Sequence, residues 1–347
     1  MILGCVGMIF AFGILFLRKE VKNGKKYFLI TSGFILFLYA ALRAHTLQPD
    51  TQRYVQDFKS YAKYSFLEIL EIFNPDFKDP TYYFSGWLFS RIFLNPQWWL
   101  AFIAAVYLVA IGVLIYRESQ NPLLSMVAFL SLAHFDFTLN ALRQSLALSI
   151  TALAFFSLKD RKPWKFLFLV IMASLFHRSA IIFLLAYPVA NMKLGWKHVV
   201  VFAIVFILFF GAQGTVRNLM EKFLTDTQYE GYIDREITLT FSGFIIQGAI
   251  FAFCLMYYPA VRQQYEKANV LYNLVFIGLM FQIFSSMVAE FFRVSRYFSV
   301  FSIILIPLAI SVESNKKLRV LESIIIPLIF VVYMFKDGIP EYAFFWQ

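Results

Sequence analysis

Apolar runs of about 14–22 residues, separated by short polar turns, recur along nearly the whole chain, and each is long enough to approach or cross a bilayer's hydrocarbon core as a helix. The first, residues 2–17, ends at the turn RKEVKNGKK (residues 18–26), with five basic groups against one acid. A second run covers 27–42. Residues 43–80 are then too charged to span but rich in Tyr and Phe, which predicts an ordered loop carrying short helices. The run 81–94 is interrupted by Ser85, Gly86, Ser90 and Arg91 and closes at Asn95-Pro96. Clear helices are predicted over 98–116 and 123–135, followed by one beginning near Leu139 and ending near Leu158. Residues 166–176 and 179–189 flank His177-Arg178, as one interrupted helix or as a hairpin with the charged pair at its tip. Further runs cover 199–212, 244–258, 270–289, 297–312 and 321–335, with a polar segment, 213–242, between the first two.

This pattern predicts an all-α, polytopic membrane helical bundle of about 10–13 helices, some short or re-entrant, in a single transmembrane domain, 1–347. The basic turns at 18–26 and 159–165 mark the cytoplasmic side, because short loops rich in Lys and Arg are retained there. That rule places 43–80 and 213–242 outside as extracytoplasmic loops, keeps 81–94 from spanning, and sets Arg143 near the outer end of its helix. The N-terminal run lacks a basic leader and a small-residue cleavage site, so it reads as a retained helix.

Composition sharpens one point. With 60% hydrophobic residues, 15% charged and a mean hydropathy of +0.68, the chain is excluded from the soluble domains. The net charge of +10 sits in short loops, so it signals topology and contact with lipid headgroups, not nucleic acid. Cys5 and Cys254 lie inside apolar runs, which argues against a disulfide framework or a zinc site. No cofactor-binding or metal-binding motif is present.

Candidate chemistry comes from polar residues that apolar sequence should not contain. A charge near hydrocarbon costs several kcal/mol unless it pairs or faces a wet cavity. In LNALRQSLALS (139–149), Asn140, Arg143 and Gln144 fall on one side of a helix, while Ser145 and Ser149 stack one turn apart. Three further clusters are predicted on the same membrane face: Arg43 with Asp50, Thr51 and Tyr54; His177, Arg178 and Ser179; and Arg293, Arg296 and Tyr297, with Glu290 on the stripe of Arg293 and Tyr297. Guanidinium groups fork onto phosphate oxygens and stay charged at any relevant pH, which points to a pyrophosphate. Asp50 suggests a proton acceptor for an attacking hydroxyl. Plainer readings stand beside these: an intrahelical Glu290–Arg293 pair, a His177 bonded to a helix-end carbonyl, and Asp50, Asp79 and Asp136 as helix caps.

In this order the clusters resemble the EpsG-like branch of the Wzy polysaccharide polymerases. The segments that carry the resemblance are Arg43-x6-Asp50-Thr51-x2-Tyr54, LRQSLALSI, FHRSAII and RVSRYFSVFSIILIP. Family members often carry Glu-Pro before an aromatic helix after the first outer loop; here Asp79-Pro80-Thr81-Tyr82-Tyr83 stands in that place, the acid kept but shortened. The resemblance implies a GT-C-like, metal-independent membrane glycosyltransferase without cofactors, in the bacterial inner membrane with its site facing the periplasm or outside. Its substrates would be undecaprenyl-pyrophosphate-linked oligosaccharides, joined into O-antigen, capsule or exopolysaccharide, with a chain-length regulator as a candidate partner. On that reading Arg143, Arg293 and Arg296, with His177 or Arg178 and with Gln144 beside Arg143, hold the pyrophosphate. Asp50 serves as general base or binds the acceptor hydroxyl, Arg43 orients Asp50 or touches phosphate, and Tyr54 and Tyr297 line the sugar path. The alternatives are an O-antigen ligase, which should have a larger late outer loop than 213–242, and a flippase, which should carry charges through the midplane.

Overall fold

A computed structural model describes residues 1–74, 77–211, 241–286, 290–336 and 338–347, apart from the side chains of Pro49 and Glu290. The predicted loop 213–242 lies almost wholly outside these residues, and the Glu290 stripe depends on a side chain that is not among them. The described residues are helical and carry no strand; a lone antiparallel bridge joins Arg43 to Phe344. They form two compact units, one of residues 1–184 with 313–347 and one of residues 185–312.

The first unit is built on α1 (Ile2–Phe16), α2 (Gly24–Ala41), α6 (Pro96–Glu118), α7 (Pro122–Ser131), α9 (Leu142–Lys159), α10 (Pro163–Phe176) and α18 (Lys316–Met334). Helix α6 begins with the Asn95 side chain accepting from the Gln97 N–H and with Pro96 in the first turn. Its 23 residues rise about 34 Å, enough for the hydrocarbon core. Among the described residues it is the one helix long and apolar enough to cross a membrane unaided. Two bent pairs, Ser242–Met256 with Tyr258–Gln264 and Phe291–Ser299 with Ser302–Ser311, pass the same test when each is taken as one span. The other apolar helices are shorter, because Pro, Gly and charged residues stop them before a full crossing. Helix α6 packs against α2 and α9, α10 lies along α9, and α18 covers α7.

Between α2 and α6 the predicted loop carries α3 (Pro49–Tyr61), α4 (Phe66–Leu70) and α5 (Pro80–Ser90). Helix α4 opens with a reciprocal capping box between Ser65 and Glu68. Helix α5 spans 11 residues, about 16 Å, half of what a crossing needs. Tyr54, Val55 and Phe58 of α3 bury against Tyr82, Tyr83 and Trp87 of α5 and Trp99 of α6, a mostly aromatic core that fixes this layer to the bundle. The chain end is tied in as well: Ala44 N–H donates to the Ala343 carbonyl at 2.8 Å and Phe345 N–H to the Leu42 carbonyl at 2.9 Å.

The helix predicted to start near Leu139 is broken. A short turn, α8 (Phe137–Asn140), ends at Ala141 with φ −105° and ψ 66°, and α9 begins at Leu142. Side chains bond the carbonyls at the break, although Phe137 O also keeps its helical bond from the Ala141 N–H at 3.0 Å. Thr138 O accepts from Arg43 at 3.1 Å, Leu139 O from the Thr51 hydroxyl at 2.7 Å and Phe137 O from Ser145 at 2.7 Å. Asn140 therefore does not share a helical stripe with Arg143 and Gln144. Ser149 does stack on Ser145, its hydroxyl donating to the Ser145 carbonyl at 2.8 Å. At His177 the chain turns extended, and the Phe166 and Phe183 rings meet at 5.7 Å. Rings so far from the break on either side touch only if the chain folds back, so His177-Arg178 is the tip of a hairpin.

The second unit holds α11 (Ala186–Val189), α12 (Trp196–Gly211), α13 (Ser242–Met256), α14 (Tyr258–Gln264), α15 (Asn269–Phe284), α16 (Glu290–Ser299) and α17 (Ser302–Ser311). Asn273, 1% exposed, ties it together: its amide donates to the Ala190 and Met192 carbonyls, and its oxygen meets His198 Nε2 at 2.7 Å. Gly278 allows α16 to approach α15 closely; a Cβ there would sit 2.9 Å from the Ser299 backbone nitrogen.

Candidate functional site

Asp79 is the centre of the site, and the sequence pattern undervalues it as a helix cap. It precedes Pro80 with φ 54° and ψ 47°, a left-handed conformation that costs a non-glycine residue of order 1–3 kcal/mol, and its side chain caps nothing. The carboxylate instead reaches three donors from other elements. Oδ2 lies 3.1 Å from Arg143 Nη1 and 2.9 Å from His177 Nδ1, and Oδ1 accepts from the Arg178 backbone N–H at 2.9 Å. Its side chain is 4% exposed, against 16% for His177 and 23% for Arg143. Burial pushes the carboxyl's pKa up, but the His177 hydrogen bond, Arg143 and the Arg178 N–H outweigh it and hold it below the ordinary carboxylate value. The expectation that His177 bonds a helix-end carbonyl gives way to this carboxylate contact.

Arg143, in the first turn of α9, is held from several directions. Besides Asp79, its Nε donates to the Tyr54 hydroxyl at 3.5 Å, and its guanidinium lies over the Tyr54 and Tyr83 rings at 5.6 and 5.8 Å from their centroids. Trp99 Nε1 donates to Tyr82 Oη at 3.3 Å, and Tyr82 packs edge-on to both Tyr54 and Tyr83. Tyr54 is only 7% exposed, so it is a support beneath Arg143 more than a wall of an open path.

Three charged residues that the sequence pattern passed over surround this centre. Burial comes first in lowering the Lys78 pKa, and repulsion by Arg143, Arg178 and Arg53 adds to it while Asp79 opposes it. Burial also raises the Asp57 carboxyl, against the pull of Arg53, Arg143 and a Tyr83 hydrogen bond. Four cations (Arg53, Lys78, Arg143 and Arg178) therefore crowd round two acids. Of these, Asp57 could have been anticipated, because it falls with Tyr54, Phe58 and Tyr61 on one face of α3.

The remaining predicted residues are placed as follows. Arg43 is 3% exposed and braces the α8 break, with Nη2 on Thr138 O and Nη1 3.5 Å from Thr51 Oγ1. Replacing it with methionine should leave the Thr138 carbonyl buried without its donor and lower stability by about 2–3 kcal/mol, read as a fall in melting temperature in detergent. Asp50 lies exposed in the first turn of α3, whose N-cap position is taken by Gln48. Asp136 stands at the N-cap of α8 and makes no side-chain capping bond to it. Gln144 is buried on α9, 2% exposed. Arg293, Arg296 and Tyr297 belong to α16 in the second unit: Tyr297 is fully buried, Arg296 is 7% exposed with its guanidinium 4.4 Å from the Phe292 ring centroid, and Arg293 is half-buried. Among the described residues, no three His, Cys, Asp or Glu side chains gather as a metal-ligand set.

Residues 26–345 fit the sequence model of the EpsG family. No curated protein and no solved structure matches the chain.

Proposed function

The chain belongs to the EpsG family, a family of polysaccharide-polymerase-like membrane proteins, and on that premise we propose that it joins lipid-pyrophosphate-linked oligosaccharide repeats into a polysaccharide. The observation that carries this reading is the gathering of Arg53, Lys78, Arg143 and Arg178 beside Asp57 and Asp79, with Arg143 paired to Asp79 at 3.1 Å. Cations that repel one another are stabilised by an anion of higher charge than two carboxylates supply, and with Arg53 and Arg178 exposed such an anion can reach them. A pyrophosphate ester fits: its charge grows as the bond to the sugar breaks, so preplaced guanidinium groups lower the barrier electrostatically. The start of α9, one residue before Arg143, adds to this, since it has no side-chain cap and an uncapped helix N-terminus favours an anion.

In this reading Arg143 and Arg178 hold the departing pyrophosphate of undecaprenyl pyrophosphate, with Arg53 and Lys78 at the rim. The Tyr54–Tyr82–Tyr83–Trp99 packing keeps Arg143 in place, so little reorganisation is needed during reaction. The site faces the outer leaflet of the inner membrane, where such repeats are polymerised. Deletion of the gene tests the reading through its lipid-linked products. A polymerase null should accumulate single repeats on the carrier, separable by thin-layer chromatography. Long polymer left on the carrier would point to a ligase, and repeats trapped on the cytoplasmic side to a flippase; either result would displace the proposal.

A further inference from the structure

Resting on the polymerase reading, we infer that His177 is the general base of the transfer and that Asp79 is its positioning residue. Asp79 is held ionised by three donors, and an ionised carboxylate only accepts. The 2.9 Å contact therefore requires a proton on His177 Nδ1, so that in the neutral form of the ring the lone pair is on Nε2. Nε2 makes no hydrogen bond among the described residues, and the side chain is 16% exposed. Arg143 shares the same carboxylate oxygen as His177, so the group that grips phosphate and the group that takes a proton are set side by side. Asp50, the acid that sequence alone favours as base, lies exposed in the first turn of α3.

The step balances without a co-reactant. The acceptor sugar's hydroxyl oxygen forms a bond to the donor's anomeric carbon while the bond from that carbon to the pyrophosphate oxygen breaks. The electron pair leaves on the pyrophosphate, beside Arg143 and Arg178. The hydroxyl proton passes to His177 Nε2, and the resulting imidazolium is stabilised by Asp79 until it releases the proton to water. Base catalysis of this kind contributes about 10²–10⁴-fold.

Membranes from the native strain, carrying their own lipid-linked repeats as donor and acceptor, provide the assay, with polymer length and amount read on gels. His177→Gln keeps an N–H for Asp79 but has no base, and should make polymer at least about 100-fold more slowly at normal protein level. His177→Ala should be equally slow and should regain part of its rate when imidazole is added, a rescue that a structural role does not allow. Asp79→Asn can donate to Nδ1 and so move the ring proton to Nε2. It should lower kcat at an unchanged KM for the repeats, without imidazole rescue. Polymer from His177→Gln at close to the wild-type rate overturns the assignment, as does an inactive His177→Ala that imidazole leaves inactive. If wild-type membranes build no polymer at all, the polymerase reading itself fails and takes the base assignment down with it.

Discussion

An Arg143→Ala protein should make polysaccharide about 10²–10³-fold more slowly than wild type, the loss seen when one preorganised group that stabilises transition-state charge is removed. The effect is expected to be this large because Arg143 is fixed before substrate arrives. Asp79 holds Nη1, Tyr54 accepts from Nε, and two tyrosine rings flank the guanidinium. Arg143→Lys should also lose at least tenfold, since a single ammonium cannot meet Asp79, Tyr54 and a phosphate at once in the fork geometry of arginine. Both variants can be compared for polymer length in a deletion strain, at matched protein levels. The alanine variant should also lose stability, by about 2 kcal/mol. That is below the cost of stranding a fully buried charge, because Asp79 keeps its His177 and Arg178 partners and Arg143 is 23% exposed. Wild-type polymer from Arg143→Ala would remove the arginine from the chemistry.

The second large effect concerns acid. The Asp79 carboxyl is depressed in the folded protein, so it adds stability that is fully present above its unfolded pKa, about 3.9, and that disappears as pH falls through the lower folded value. Asp57 has the opposite sign. Its carboxyl is raised, so its contribution is fully present below the unfolded pKa and is lost as pH rises through the folded one. Asp79→Asn should therefore cost about 1.5–3 kcal/mol at neutral pH, and the gap in melting temperature from wild type should close below about pH 4. Asp57→Asn should raise the melting temperature at neutral pH or leave it unchanged. Melting curves in detergent between pH 3 and 7 separate the two acids. A gap for Asp79→Asn that is the same at both ends of that range would mean the carboxylate is not ionised in the folded site.

Much of the fold can be read locally. The runs 2–17, 27–42 and 98–116 correspond to α1, α2 and α6 within a few residues, because apolar periodicity and Pro or Asn at the helix starts are local signals. The His177 break and the weakness of 81–94 as a span are also visible there, since a charged pair or an early Asn-Pro stops a helix whatever lies around it. Arg143, His177 and Arg178 stand out for a similar reason: each is a charge where the surroundings are apolar. Membership in the EpsG family likewise follows from linear segments.

Asp79 is different. As an acid before proline it reads as a helix start, and only tertiary structure turns its carboxylate toward His177 and Arg178, nearly a hundred residues away, and toward Arg143 on a third helix. The α8 break belongs to the same class, because the side chains that take its carbonyls, Arg43 and Thr51, come from a distant loop. By itself the sequence determined which residues are too polar for their surroundings and where helices begin and end, since propensity and burial pattern act over a few turns. Which of those residues share one carboxylate was decided by the packing of α3, α5, α9 and the 177–178 tip, since hydrogen bonds and ion pairs depend on distance in space and carry no signature in spacing along the chain.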